Sequence, residues 1–191
     1  MTTTEWIILA VVVAIIVIAA IWWFAQSRRS KALQKDFGPE YDRTVQRSDS
    51  RRAAESELRN RRERVENLDI RPLSATDRSR FAEDWQELQP RFVDDPQGAV
   101  SDADSLVSNL MTTRGYPMGE FEQRAADISV DHPDVVNHYR EAHRLAQRNA
   151  SGKATTEEQR RAIVHYRELF DELLSDGLPN ASPSKDVSRA G

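Results

Sequence analysis

Cysteine is absent from the 191 residues, which removes thiol catalysis, disulfide staples and thiolate metal sites together. Its absence suits a reducing compartment without selecting one. Glycine is scarce and scattered: each of the seven stands singly, so no Gly-rich loop can cradle a phosphate and no Gly-x-Ser-x-Gly elbow exists. The histidines form neither HExxH nor Glu-x-x-His. His138 follows Asp134 by four residues and His165 precedes Glu168 by three, each pair on one helix face, whereas His143 falls on a different face from His138. We expect no catalytic residue, no cofactor and no metal. Period-two alternation is also missing, so strands are not expected.

Basic residues are lacking from the whole N-terminal stretch, where Glu5 is the one charge before Arg28. From Trp6 to Ala25 there are 20 consecutive uncharged residues rich in Ile, Val and Ala, which as a helix span about 30 Å, the thickness of a bilayer's hydrocarbon core. The β-branched runs would favour strand in water, but a lone segment in lipid must satisfy its own backbone and so becomes a helix. Trp6 at one end and Trp22 and Trp23 at the other suit the two headgroup zones. A cleaved signal peptide would need a basic start and a shorter apolar stretch, and the bulky Ile21-Trp22-Trp23-Phe24 end favours an interface over a peptidase site. Arg28, Arg29, Lys31 and Lys35 follow the span closely, which predicts an outward N-terminus and a cytoplasmic remainder. Asp36, Glu40 and Asp42 dilute that cluster, so it reads as a topology signal more than a lipid-headgroup site.

Beyond the membrane, Gly38-Pro39 predicts a break or hinge. Residues 48–67 are almost wholly polar and predict a charged helix, with Glu55–Arg59 and Glu57–Arg61 as i,i+4 pairs in the better order. Its apolar stripe is Ala54, Leu58, Val65 and Leu68, with Arg61 at the missing seam position. A solvated stalk or weakly packed helix is favoured there over a short dimerising coiled coil. Acids interleave with its arginines, which tells against nucleic acid.

After the Ile70-Arg71-Pro72 loop the 3.6-residue period becomes strong. Ser74 with Asp77 predicts a helix start, its buried stripe being Phe81, Trp85, Leu88 and Phe92, with Pro90 kinking or ending it. Asp95 caps the next helix with Pro96 in its first turn, burying Ala99, Val100, Ala103, Leu106, Val107, Leu110 and Met111 until Gly115 and Pro117. A short helix over 120–127 uses Phe121, Ala125 and Ile128, and Asp131-His132-Pro133 opens another, with stripe Val135, Val136, Tyr139, Ala142 and Ala146. Thr155 and Glu158 form a capping box for the last helix, which presents Ile163, Tyr166, Phe170, Leu173 and Leu174 and ends at Gly177. The link from Asn149 to Ala154 is short enough to make the last two helices antiparallel neighbours. His138-Tyr139-Arg140-Glu141 is echoed by His165-Tyr166-Arg167-Glu168. One echo is no solenoid, and two amphipathic helices meeting the same burial demand explain it.

The segments Phe37-Gly38-Pro39-Glu40-Tyr41-Asp42-Arg43, Leu68-Asp69-Ile70-Arg71-Pro72-Leu73, Arg91-Phe92-Val93-Asp94-Asp95-Pro96, Arg114-Gly115-Tyr116-Pro117 and Phe121-Glu122-Gln123-Arg124-Ala125-Ala126-Asp127 carry a resemblance. Over about residues 5–175 the chain resembles an uncharacterised group of bacterial single-span hypothetical or "secreted" membrane proteins. That resemblance implies an anchored chain but no activity, ligand or active site. The expected protein is all-α: a short N-terminal segment (1–5), a transmembrane helix (6–25), a basic juxtamembrane segment and hinge (26–47), a charged helix (48–67), a cytoplasmic bundle of four to five helices (68–177) and a disordered tail (178–191). Its membrane anchor comprises Trp6, Trp22, Trp23, Arg28, Arg29, Lys31 and Lys35. Its expected partners are the lipid bilayer and an unidentified protein or a second copy of itself, with no nucleic acid. The leading expectation is a non-enzymatic scaffold or protein-interaction module at the inner face of a bacterial membrane. The alternatives are an exported envelope or sensor domain and an enzyme whose site is dispersed in sequence.

Overall fold

The structure is a computed structural model that describes residues 17, 27, 28 and 30–175. Among the described residues there are seven helices and no strand. They are α1 (30–47), α2 (Arg51–Glu66), α3 (Ala75–Asp94), α4 (Pro96–Arg114), α5 (Phe121–Asp131), α6 (Val136–Ala150) and α7 (Thr156–Ser175). Two compact units divide at Arg64 and Val65. Apart from Val17, the expected span over 6–25 lies outside the described residues, as do the expected tail over 178–191 and the stop at Gly177. Among the described residues no helix is long and apolar enough to cross a membrane.

In the first unit, α1 does not stop at Gly38-Pro39 as expected; helical pairing runs through to residue 47. Proline disfavours the α conformation in the residue before it, and Gly38 escapes by taking φ 46°, a region open to a residue without Cβ. The helix nevertheless bends there. Ser30 and Tyr41 donate to the same carboxylate oxygen of Glu55, although eleven residues of straight helix cover about 16 Å, more than those two side chains can close. The expected hinge is therefore a bend within a helix. Leu33, Phe37 and Tyr41 on α1 and Ala54 and Leu58 on α2 are buried, so α2 is a packed member of a hairpin and not a bare stalk.

The second unit is assembled around α4, which touches α3, α6 and α7. Ser74 caps α3 by accepting from the Asp77 amide at 3.0 Å, and Asp95 caps α4 by accepting from Gly98 at 2.9 Å, both as the sequence predicts. Phe81, Trp85 and Leu88 face the core, with Phe92 half-buried at its margin. Trp85 stacks on Phe170 of α7 at 4.6 Å between ring centroids. Pro90 neither ends α3 nor shortens it; the helix continues to Asp94. A single missing amide so close to the C-terminus costs one ladder bond, and the flanking residues remain helical.

Asp131 does not open a helix but closes α5, where the His132 amide bonds to the Ile128 carbonyl at 2.8 Å. Pro133 lies in the turn before α6, which begins at Val136 without a side-chain cap. Thr155 and Glu158 form the expected capping box at α7: the Thr155 amide donates to Glu158 at 2.9 Å and the Glu158 amide to Thr155 Oγ1 at 3.2 Å. At the far end of α7, Arg78 donates to the Leu174 carbonyl at 3.0 Å and buried Arg114 to the Leu173 carbonyl at 3.1 Å. Cationic donors are placed where the helix dipole is negative and carbonyls lack partners.

Gly115 ends α4 at φ 98°, and a Cβ there would stand 2.2 Å from the Asp69 carbonyl oxygen. Gly115→Ala should therefore destabilise the protein by about 1–3 kcal/mol from backbone strain alone, with the backbone clash adding to it. Gly119→Ala, with open space around it, should stay within about 0.5 kcal/mol of wild type. Urea unfolding of both variants checks the contrast.

Candidate functional site

The anchor residues expected from sequence are only partly in view. Arg28, Lys31 and Lys35 are exposed at the start of the described chain, whereas Trp6, Trp22, Trp23 and Arg29 lie outside the described residues. Directly after the basic residues comes a network of ionised side chains buried between α1 and α2. Arg61 Nη1 meets Glu40 at 2.8 Å, with Glu40 almost wholly enclosed, and Arg61 Nε also reaches Glu57 at 3.0 Å. Arg61, the polar intruder in the apolar stripe of α2, thus faces a carboxylate of its own chain.

Glu55 does not pair with Arg59 as expected. It turns inward, where it accepts from Ser30, from Tyr41 at 3.0 Å and from Arg51 at 3.1 Å. Burial works to raise the Glu55 carboxyl, but the hydrogen bonds from Ser30, Tyr41 and Arg51 outweigh it and hold it below the usual range. Arg62 reaches Asp36 at 2.8 Å on the exposed flank.

In the second unit, α6 and α7 pair antiparallel, as the short link predicts. As α6 advances, its polar partners step back along α7: His138 meets His165 at 3.1 Å, Glu141 meets Arg161 at 3.2 Å, and at the link end Arg148 and Asn149 meet Glu158 and Gln159 at 2.9 and 2.8 Å. Asn149, expected in the link, belongs to α6 and is buried; its amide donates to the Gln97 carbonyl at 2.9 Å. It thereby ties the first turn of α4 to both helices of the pair.

The echoed His-Tyr-Arg-Glu segments meet across this register. Tyr139 and Tyr166 both lie in the core. The Tyr166 hydroxyl donates to Asp104 at 2.5 Å, while the Tyr139 hydroxyl lies beside Arg124 without a well-formed hydrogen bond. Burial, with Asp104 adding to it, pushes the Tyr166 phenol far above its ordinary value, and burial pushes that of Tyr139 up to about 12. Phenols this reluctant to ionise are poor proton shuttles near neutrality. The cluster pins helices together.

His143 stands on a different face of α6 from His138, as the spacing predicts. His138 and His165 point at each other, Nδ1 to Nδ1, with their rings edge to face. His143 stacks on Phe121, ring centroids 3.7 Å apart, and its Nε2 meets Gln147. His132 is buried and its Nδ1 lies 3.1 Å from Glu172. Among the described residues no group of three or more His, Asp or Glu side chains is placed to hold a metal ion. A groove of about 240 Å³ between α3 and α4 is lined by Asp84, Glu87, Leu88, Arg91, Asp102 and Leu106. Arg91 meets Asp102 there at 2.8 Å. It is too open to exclude water from a reaction. The chain matches no family model, no curated protein and no solved structure.

Two outcomes follow from these charges. Arg61→Ala leaves Glu40 enclosed without its 2.8 Å partner, so the hairpin should lose about 3–5 kcal/mol; the double change Glu40→Leu with Arg61→Met should recover most of it. Amide hydrogen exchange along α2 reads both. Burial holds His143 and His165 below the ordinary histidine value, and the neighbouring His138 adds to the effect at His165. The unfolded chain then binds protons more readily than the folded one, so stability is complete above about pH 6.5 and falls as the pH drops through the depressed folded values. His165→Gln should flatten that decline in urea titrations between pH 5 and 7, a window above the carboxylate range.

Proposed function

We propose that this protein is a membrane-tethered helical module without catalytic function, whose hairpin and bundle bind a protein partner, or a second copy, at the inner face of a bacterial membrane. The observation that carries the reading is the junction between lipid-like and water-like sequence. The twenty uncharged residues from Trp6 to Ala25 are followed within ten positions by the exposed side chains of Arg28, Lys31 and Lys35. Such a run is long enough to span a bilayer and such a cluster is retained on the cytoplasmic side.

The partner half of the reading rests on the outer surface of the hairpin. Asp36, Asp42, Arg47, Asp49, Arg52, Glu57, Arg59 and Glu63 are exposed within about thirty residues of one another. Charges of both signs set side by side favour recognition of a complementary protein face over binding to a uniformly anionic polymer.

Trypsin added to inverted membrane vesicles should cut the arginine-rich hairpin, while trypsin added to intact spheroplasts should leave the chain whole. Cleavage in spheroplasts would replace this topology with an exported domain. Cross-linking in native membranes should trap either a homodimer or one defined heterocomplex; recovery of the monomer alone would remove the scaffold half of the proposal.

A further inference from the structure

We infer that His138 and His165 form a two-nitrogen site for a late first-row divalent ion, Cu2+, Ni2+ or Zn2+, which on binding clamps α6 to α7. The two Nδ1 atoms stand 3.1 Å apart on different helices. Two imidazole nitrogens sharing a tetrahedral ion at 2.0–2.1 Å are about 3.3 Å apart, so the ion needs only a few tenths of an ångström of movement. One hydrogen at most can lie between these nitrogens. When both rings carry their hydrogen on Nε2, two lone pairs face the same point, and a cation is the partner that satisfies both.

The site is held rigidly before any ion arrives. Each histidine is followed in sequence by a fully buried tyrosine, Tyr139 and Tyr166, so neither helix can rotate without uncovering an aromatic ring. One turn away Arg161 and Glu141 pair across the same interface at 3.2 Å. The charges around the pair are mixed. Glu141 and Glu168 favour positive charge at His165, while Arg161 opposes it.

The donor set also selects the metal class. Imidazole suits copper, nickel and zinc, whereas calcium and magnesium seek six or more oxygens. No third His, Asp or Glu converges among the described residues, so water completes the coordination and the ion remains exchangeable. His132 and His143 stand apart from this pair, one facing Glu172 and the other stacked on Phe121.

Detergent-solubilised full-length protein, purified without a polyhistidine tag, should bind Zn2+ or Ni2+ saturably at one site per chain by calorimetry and melt at a higher temperature with either ion, but not with Mg2+. His138→Gln and His165→Gln should each abolish the shift, and His143→Gln should keep it. Histidine-ring NMR of the wild-type chain supplies a readout that does not depend on variants folding: Zn2+ should move the signals of two of the four rings together. Absence of saturable binding, binding that survives both single changes, or equal movement of all four rings would overturn the site.

Discussion

The antiparallel register of α6 against α7 is the constraint on which the second unit rests. Gly152, at φ 68°, lets the chain reverse directly after α6, and buried Asn149 fixes how far the two helices slide. An apolar seam alone tolerates a slip of one turn, because leucine meets leucine equally well one repeat away. A buried amide does not, since a slip would leave its donor and acceptor unpaired in a place without water. With the register set, Tyr166 comes to Asp104, Phe170 comes under Trp85, and the C-terminus of α7 comes to Arg78 and Arg114. Each of these contacts joins α7 to α3 or α4, so one polar pin propagates through the helices packed on the pair.

The first unit solves the same problem with little apolar surface. Its buried hydrophobic side chains are few, and charged groups fill the positions between them. Enclosing Glu40 and Glu55 costs desolvation that the guanidinium of Arg61 and the donors around Glu55 must offset. Such a network contributes little net stability but rejects misalignment strongly, because any other register strands a buried charge. Reading α2 alone, Arg61 looks like a flaw in a hydrophobic stripe. Beside α1 it is the residue that specifies the partner.

How much of this was legible follows from where each signal is stored. The helix starts at Ser74, Asp95 and Thr155 could be read because a cap and the amides it serves lie within three residues. The stripes through Phe81 to Leu88 and through Ala99 to Met111 could be read because the helical period repeats locally. Glu55, Asn149 and the meeting of His138 with His165 could not, since each depends on a partner ten or more residues away whose register no local pattern encodes. Gly38-Pro39 and Pro90 misled for a related reason. Proline's penalty is local and certain, but whether a helix ends there depends on the packing of the residues on either side, and α1 and α3 both continue through it.

The echoed His-Tyr-Arg-Glu segments show how one local pattern yields a paired feature without an internal repeat. In an antiparallel pair, residues that occupy equivalent places on the two helices face each other near the crossing. Tyrosine in each segment points to the core and enforces the same rotation on both helices. The residue before each tyrosine then sits at the boundary between core and solvent, and on both helices that residue is histidine. Their encounter is therefore a consequence of burying the two tyrosines. Changing either tyrosine to a residue that buries differently would separate the imidazoles without touching them, which makes the aromatic core, and not the histidines, the element that sets the distance between the two nitrogens.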